Sequence, residues 1–311
     1  MRANNFGRQL FRRPLFPALI CSLLWGSSFP AIKTVFHHWE DKGLLLTLPL
    51  GLLFAGIRFT LAGSSLLAVS KNLRPQLRAT SWKLLAVLAL TQTFLQYLFL
   101  YKALAISGAS LTALLAATGS FWWMLLAPLI QKTPWPTSLQ WLGLLVGGLG
   151  VTLAIYRPGS GASQPILGGF LMLAATASGA IGLITFARIK PTMSAMNATG
   201  FSLFTGGLAL ILAGANSLQS FPQMFDLPVI LATTWLALVS ASAFSMWNHL
   251  STIFPVTLLA SYRFLLPICG VIESLLFLRS ESPGWGLLCG GSLVVLSMLL
   301  AKRTTVHKAT P

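Results

Sequence analysis

The sequence predicts an all-α membrane protein of about ten transmembrane helices, and three observations support this. Of the 311 residues, 55% are hydrophobic and only 8% are charged, whereas a soluble domain carries about a quarter of charged residues. Apolar stretches of about 20 residues, long enough to cross a hydrocarbon core of roughly 30 Å as a helix, recur along nearly the whole chain. Basic residues cluster between these stretches, as they do in loops at a cytoplasmic membrane face. The expected solvent is therefore the lipid bilayer.

Ten apolar stretches are predicted to be membrane-spanning helices. In chain order they cover 15–36, 46–70, 83–103, 107–130, 137–156, 166–188, 195–214, 227–247, 254–278 and 284–301. Because ten is even, both termini lie on the same side of the membrane, and the arginines of the amino-terminal arm place that side in the cytoplasm. Fourteen of the 21 Lys and Arg residues then lie in inner segments and four in outer ones. This distribution agrees with the positive-inside rule.

The two halves of the chain carry matching glycine motifs. Gly143-Leu-Leu-Val-Gly-Gly148 is echoed by Gly286-Leu-Leu-Cys-Gly-Gly291, and the span from Gly56 to Gly63 by the span from Gly200 to Gly207. Since each copy holds five helices, an odd number, the second copy crosses the membrane in the opposite sense, which is the inverted repeat of many secondary transporters. The alternative is that small residues recur because they let helices approach closely.

The repeat defines a domain organisation. We expect a cytoplasmic arm at 1–14, a first five-helix repeat at 15–156, an outer linker at 157–165, a second five-helix repeat at 166–302 and a cytoplasmic tail at 303–311.

Four segments of the first half resemble the EamA family of the drug/metabolite transporter superfamily. They are Leu23-Leu-Trp-Gly-Ser-Ser-Phe-Pro-Ala-Ile-Lys33, Ile57-Arg-Phe59, Gly108-Ala-Ser-Leu-Thr-Ala-Leu-Leu115 and Leu142-Gly-Leu-Leu-Val-Gly-Gly-Leu-Gly-Val151. The resemblance extends over residues 15–302. It implies a ten-helix, two-repeat carrier of the cell inner membrane that exports amino acids or other metabolites and does not hydrolyse ATP.

The function predicted from these features is secondary active export of a small molecule, such as an amino acid or an amphipathic compound, by alternating access. Two alternatives stay open: a transporter of nucleotide sugars or lipid carriers, and a structural or sensory membrane protein. The formal charge of +16 does not indicate nucleic-acid binding, because the basic residues lie at helix ends. Enzymatic activity, a cofactor and a metal site are not expected, since neither a catalytic constellation nor a cluster at metal-ligand spacing is present in the sequence.

Arg58 lies near the middle of the second predicted helix. A charge at that depth costs roughly 2.5–3.5 kcal/mol, so it is expected to face a wet cavity or a partner. Arg58 either binds an anionic group of the substrate or tethers a neighbouring helix through backbone carbonyls. Further polar and aromatic residues in the predicted helices are candidates for lining a substrate cavity. They are Gln92, Gln96, Tyr97, Trp122, Trp123, Tyr262 and Arg263.

Glu273 is the only acidic residue well inside a predicted helix. Ionisable residues at membrane depth mark proton or substrate pathways, or pair with one another. One interpretation is that Glu273 couples transport to protons. The other is a static ion pair with Lys33, which is predicted near the same, outer side of the membrane.

The topology can be tested with a reporter enzyme that is active only outside the cytoplasm. Fused after Pro311, the reporter is expected to be inactive, because an even number of helices returns the chain to the cytoplasm. Inserted between Gly159 and Ser163, in the predicted outer linker, it is expected to be active. Reporter activity at the carboxyl terminus contradicts the ten-helix count.

Overall fold

A computed structural model describes residues 14–132, 134–156, 163–254, 259, 262–263, 265–280 and 282–306. Within this part of the chain, eight helical spans are long and apolar enough to cross a membrane. They are α1 (Leu15–Asp41), α2 (Leu48–Ala68), α3 (Trp82–Ser107), α4 (Ala109–Leu115 and Thr118–Gln131), α5 (Ser138–Tyr156), α6 (Pro165–Ile189), α7 (Ala195–Ala213) and α8 (Leu227–Ile253). Two further apolar helices follow, α9 (Leu265–Phe277) and α10 (Trp285–Val306). The chain is a multi-pass integral membrane protein.

The helices begin and end where local chemistry requires it. Thr47, Ser194 and Asp226 cap α2, α7 and α8 by accepting a hydrogen bond from a backbone N–H of the first turn. Gly108 separates α3 from α4 with a φ of +80°, a conformation that favours glycine. Phe254 ends α8 in an extended conformation, as expected for a residue that precedes a proline.

The prediction of an all-helical membrane protein is confirmed, with differences at helix ends. α1 continues to Asp41 and not 36, and α8 continues to Ile253 and not 247. Hydropathy locates the apolar part of a helix, whereas hydrogen bonding carries the helix on into its polar ends. Of the ninth predicted helix, 254–278, the structure describes Leu265–Phe277 as the continuous helix α9, and Phe254 is extended. Leu259 and Tyr262 are also helical, and the residues 255–258, 260, 261 and 264 lie outside the described part of the chain.

Two spans contain an interruption. In α3, residues Ala89–Leu95 form a π-helix, a conformation that is frequent at functional sites. In α4, the backbone changes at Ala116 and Ala117, where the N–H of Ala117 bonds to the carbonyl of Leu114, three residues earlier. Both interruptions lie near the middle of their spans.

Glycines allow two pairs of helices to pack with their backbones almost in contact. α2 packs against α7, and α5 packs against α10. A Cβ atom on Gly56 would lie 2.7 Å from the carbonyl oxygen of Gly207, and one on Gly63 would lie 2.8 Å from that of Gly200. Because the higher number on α2 meets the lower number on α7, these two helices run antiparallel. In the second pair, a Cβ on Gly150 would lie 2.6 Å from the carbonyl oxygen of Gly290.

The packing of α5 against α10 can be tested with two substitutions in the same helix. Gly150→Ala is expected to lower the free energy of unfolding by about 1–3 kcal/mol, because the added methyl group must push α10 away. Gly148→Ala is the matched control, since no atom lies within 4 Å of its added Cβ. It is expected to leave the protein unchanged or to stabilise it by up to about 1 kcal/mol. Thermal unfolding in detergent measures both, and equal melting temperatures would show that the close contact is absent.

Candidate functional site

A cavity of about 90 Å³ lies in the middle of the bundle, between α1, α2, α3, α4, α6, α8 and the start of α9. Both interrupted spans contribute to its wall, α3 through Gln92 and α4 through Ala116. The chain thus places its irregular backbone beside an internal cavity, where protein groups can satisfy it.

The structure brings five of the predicted site residues together around this cavity: Arg58, Gln92, Gln96, Tyr97 and Arg263. The other aromatic candidates lie elsewhere. Trp123 packs with a small cluster on α4 and α6, against which Trp122 also packs. Tyr262 packs against a cluster that includes Trp247. Trp123 still lies close to the site, because it lines a small neighbouring void together with Arg263.

Arg58 is held by groups from two other helices. Its Nε donates to the carbonyl oxygen of Leu236 at 3.2 Å and to Oγ of Ser240 at 3.0 Å, and its Nη1 donates to the hydroxyl of Tyr101 at 3.3 Å. The guanidinium carbon also lies 4.6 Å from the ring centroid of Phe59. These contacts join α2 to α3 and α8, and none of the partners is anionic. The geometry matches the tether interpretation of Arg58.

Arg263 has a different environment. Its guanidinium carbon lies 5.8 Å from the ring centroid of Trp247, close enough for a cation–π contact. It also lies beside Gly119, just after the interruption of α4, and a Cβ atom there would be 3.5 Å from Nη2 of Arg263. Among the described residues its guanidinium makes no hydrogen bond and no ion pair. Arg263 therefore keeps donors available to a ligand in the cavity.

The two glutamines approach the cavity from the π-helical part of α3 and just after it. Gly182 on α6 packs directly against Gln92, and Gly179 packs against the amide of Gln96. Ser178 donates to the carbonyl oxygen of Thr91 at 2.8 Å and so stabilises the irregular backbone of this segment. The small residues of α6 therefore contact the backbone and Cβ of Gln92 and the side-chain amide of Gln96.

An aromatic wall completes the cavity, and our sequence analysis did not assign most of it. The ring of Trp25 lies 5.3 Å from that of Phe244 and 5.6 Å from that of Trp247, and the ring of Phe244 lies 6.4 Å from that of Tyr97. The indole N–H of Trp25 is buried and has no partner among the described residues. Trp25 belongs to the motif at 23–33 and lies well inside its helix, away from the membrane interface where tryptophan is usual, which is a signal that could have identified it.

The expected ion pair between Lys33 and Glu273 does not form among the described residues. Nζ of Lys33 lies 3.5 Å from the carbonyl oxygen of Ala105 on α3. Glu273 is half-buried on α9, and its Oε2 has no hydrogen-bond partner in the described part of the chain. Neither residue is among those that line the central cavity.

A polar cluster joins the end of α1 to the start of α8. Nε2 of His38 lies 2.7 Å and Nζ of Lys42 lies 3.1 Å from the same carboxylate oxygen of Asp226. The hydrogen bond with His38, together with those from Lys42 and the N–H of Val229, lowers the pKa of Asp226 from 3.8 to about 2. Next to this cluster, the indole N–H of Trp39 donates to the carbonyl oxygen of Met224 at 3.0 Å. We call this end of the bundle the Asp226 end.

Comparison with known proteins identifies relatives over nearly the whole chain. Residues 13–156 match the model of the EamA-like transporter family. The chain is 26% identical, over 298 residues, to a "Probable amino-acid metabolite efflux pump" of Salmonella typhimurium, covering 93% of this chain and 94% of that protein. It is 25% identical, over 285 residues, to the uncharacterised transporter YvbV of Bacillus subtilis, covering 89% and 88% of the two chains.

A solved crystal structure shares the fold. It superposes with a TM-score of 0.60 at 17% identity, over 93% of this chain and 99% of the other. At that identity the likeness concerns the fold alone.

The tether at Arg58 predicts a loss of stability on conservative substitution. Arg58→Lys keeps the charge but loses the planar group that reaches α3 and α8 at once. Since hydrogen bonds to charged groups contribute about 1.5–3 kcal/mol, we expect the free energy of unfolding to fall by that order. The measurement is a graded SDS titration in mixed micelles.

Arg188→Lys serves as the control, because Arg188 is exposed and donates to a single carbonyl, that of Ile130. It is expected to change the unfolding midpoint little. If Arg58→Lys unfolds at the same SDS fraction as the wild type, Arg58 is not a structural tether.

Proposed function

We propose that this chain, whose residues 13–156 match the EamA-like transporter family, is a transporter of the inner membrane that exports small metabolites, amino acids among them, by alternating access. The observation that carries the proposal is the central cavity, with a guanidinium at Arg263 that has no hydrogen-bonding partner among the described residues. An ionisable group at membrane depth marks a functional site by default. Here it lies beside aromatic rings and two amides.

We propose that the helices form two inverted five-helix repeats, 15–156 and 166–302, with both termini in the cytoplasm. Each helix of the first repeat corresponds to the helix five places later in the chain. Thus α1 corresponds to α6, α2 to α7 and α5 to α10. The contacts respect this correspondence: α1 packs against α8 and α9, as α6 packs against α3 and α4. α2 and α7 cross antiparallel at Gly56 and Gly207, which is the relation expected between equivalent helices of inverted copies.

The proposed substrate site is the central cavity, with Arg263 as the anion-binding group. Gln92 and Gln96 provide hydrogen bonds, while Trp25, Phe244 and Trp247 contact the apolar part of the substrate. A concave, largely apolar site with a few polar groups is the usual form of a small-molecule site. The name of the Salmonella relative supports amino-acid metabolites as substrates.

A transporter of nucleotide sugars is less well supported by the charges of the cavity. A diphosphate group needs several cationic or N–H donors, whereas two nitrogens of Arg58 already bond Leu236, Ser240 and Tyr101. Arg263 alone among the described lining residues offers an entire guanidinium. A structural or sensory membrane protein, in turn, is expected to show no transport of solutes into liposomes.

We further propose that Glu273 couples export to protons. Its carboxylate lies in a membrane helix, its Oε2 is buried without a partner among the described residues, and Lys33 is directed to Ala105. No salt bridge joins Glu273 to Lys33 in the described part of the chain, which favours the coupling role over the static pair. A carboxylate that can be protonated and deprotonated at this position can exchange a proton for substrate.

These proposals predict the behaviour of purified protein in liposomes. Labelled amino acids and amphipathic cations are offered with and without a pH gradient, and we expect the wild type to accumulate at least one amino acid when the gradient is present. Glu273→Gln is expected to lose gradient-driven accumulation and to retain downhill exchange, because the amide keeps the size of the side chain and cannot titrate. The control is Glu40→Gln, at an exposed position.

Uptake that does not exceed that of empty liposomes for every solute contradicts the transport proposal. Gradient-driven accumulation by Glu273→Gln at the wild-type level contradicts coupling at Glu273 and leaves transport itself standing.

A further inference from the structure

The central cavity is positively charged and contains no acidic side chain among its described lining residues. Arg58 and Arg263 both line it. The described acidic residues lie elsewhere: Glu40 and Asp41 in the last turn of α1, Asp226 at the cap of α8 and Glu273 on α9. In a low-dielectric interior the charge of two guanidiniums is poorly screened, so the cavity attracts an anion and repels a cation.

The hydrogen-bonding groups of the cavity also favour a ligand with a negative charge. The guanidinium of Arg263 makes a cation–π contact with Trp247 and no hydrogen bond in the described part of the chain. The indole N–H of Trp25, a residue that lines the cavity, is buried and has no partner there either. A buried donor without an acceptor is costly, and a carboxylate, which only accepts hydrogen bonds, satisfies several donors at once. An ammonium group only donates, and would add to the excess of donors.

The aromatic side chains that line the cavity indicate which apolar group the ligand carries. Trp25, Phe244, Trp247 and Tyr97 form a continuous set of rings, with neighbouring centroids 5.3–6.4 Å apart. Rings arranged in this way favour an aryl or branched alkyl group by edge and stacking contacts. The polar neighbours on α3 are two neutral amides, Gln92 and Gln96, which do not compensate the charge of an ammonium group.

We propose that the cavity binds apolar monocarboxylates, whose carboxylate is held by Arg263 and whose aryl or alkyl body lies against the aromatic wall, and that an α-ammonium group is not needed for recognition. This inference rests on the proposed function in one respect, since it takes the central cavity as the substrate site. It narrows the substrate class from amino acids and amphipathic compounds in general to anions, and it excludes amphipathic cations.

Three probes with the same phenyl body separate the contributions of the two charged groups. 3-Phenylpropionate carries only the carboxylate, phenylalanine carries both groups, and 2-phenylethylamine carries only the ammonium. Binding to the full chain in lipid nanodiscs at pH 7 is measured by isothermal titration calorimetry. We expect 3-phenylpropionate to bind at least as tightly as phenylalanine, and 2-phenylethylamine to bind about tenfold more weakly or worse, since a charge-assisted hydrogen bond is lost and repulsion is gained.

Substitutions locate the carboxylate. Arg263→Gln is expected to weaken binding of 3-phenylpropionate by about tenfold or more and to leave 2-phenylethylamine unchanged or tighter. Arg263→Lys is expected to retain part of the affinity, because it keeps the charge without the planar fork. The matched control is Arg74→Gln, an exposed arginine outside the bundle core, which should not change the binding of any probe. If Arg263→Gln does not fold, the order of the three probes on the wild type and the effect of Arg263→Lys still decide the question.

Three results would overturn the proposal: no binding of 3-phenylpropionate at millimolar concentration, binding of 2-phenylethylamine as tight as that of 3-phenylpropionate, or unchanged carboxylate binding in folded Arg263→Gln. Counterflow of labelled phenylalanine in liposomes separates this failure from that of the transport proposal. The expected order of binding without any counterflow supports the carboxylate site and contradicts transport. Counterflow of labelled phenylalanine that 2-phenylethylamine inhibits more strongly than 3-phenylpropionate supports transport and contradicts the carboxylate site.

Discussion

The hydrocarbon core of the membrane offers no hydrogen bonds to the backbone, and the rest of the structure depends on this constraint. Each N–H and C=O must find a partner within the protein, so the spans are helices. Among the described residues, the π-helical segment Ala89–Leu95 and the break at Ala116 interrupt this pattern in mid-span, and both adjoin the cavity. There Ser178 supplies a hydrogen bond to the carbonyl of Thr91. Irregular backbone occurs where side chains replace the bonds that the helix gives up.

Under the same constraint, two arginines that look alike in sequence have different surroundings. Each guanidinium must be compensated at depth, because the cost of an uncompensated charge there is several kcal/mol. Arg58 obtains its compensation from Leu236, Ser240 and Tyr101. Arg263 obtains only the face of Trp247 among the described residues. What remains uncompensated at Arg263 is the free energy that a bound anion can recover, which is why the less conspicuous arginine is the better candidate for ligand binding.

The sequence predicts the membrane class and the approximate spans, because 20-residue apolar stretches report directly on the surrounding solvent. It also predicts that Arg58, Gln92 and Arg263 matter, since polar groups at depth are rare. It does not distinguish a tether from a ligand group, because two of the three hydrogen-bond partners of Arg58 lie 178 and 182 residues away in the chain. Nor does it separate Trp122 and Trp123, which pack between α4 and α6, from Trp25 and Trp247, which line the cavity. Aromatic residues have the same hydropathy on either side of a helix, and only the packing of neighbouring helices decides which side faces the cavity.

Tyr101 connects the Asp226 end of the bundle to Arg58, which lines the central cavity. Its ring packs edge-on against Phe36 and Phe54, which surround Trp39, while its hydroxyl accepts the hydrogen bond from Arg58. The pKa of Asp226 is lowered in the folded protein, so the stability that its ionised carboxylate contributes is present above pH 3.8 and is lost as the pH falls toward 2. A proton gradient in the neutral range therefore does not act through this carboxylate. In the alternating access proposed above, Tyr101 is the side chain that links the two regions, because it contacts Phe36 and Phe54 at the Asp226 end and Arg58 at the cavity. Such coupling is reciprocal. A ligand that shifts the conformational equilibrium of the Asp226 end by a given free energy has its own affinity changed by the same free energy when that end changes conformation.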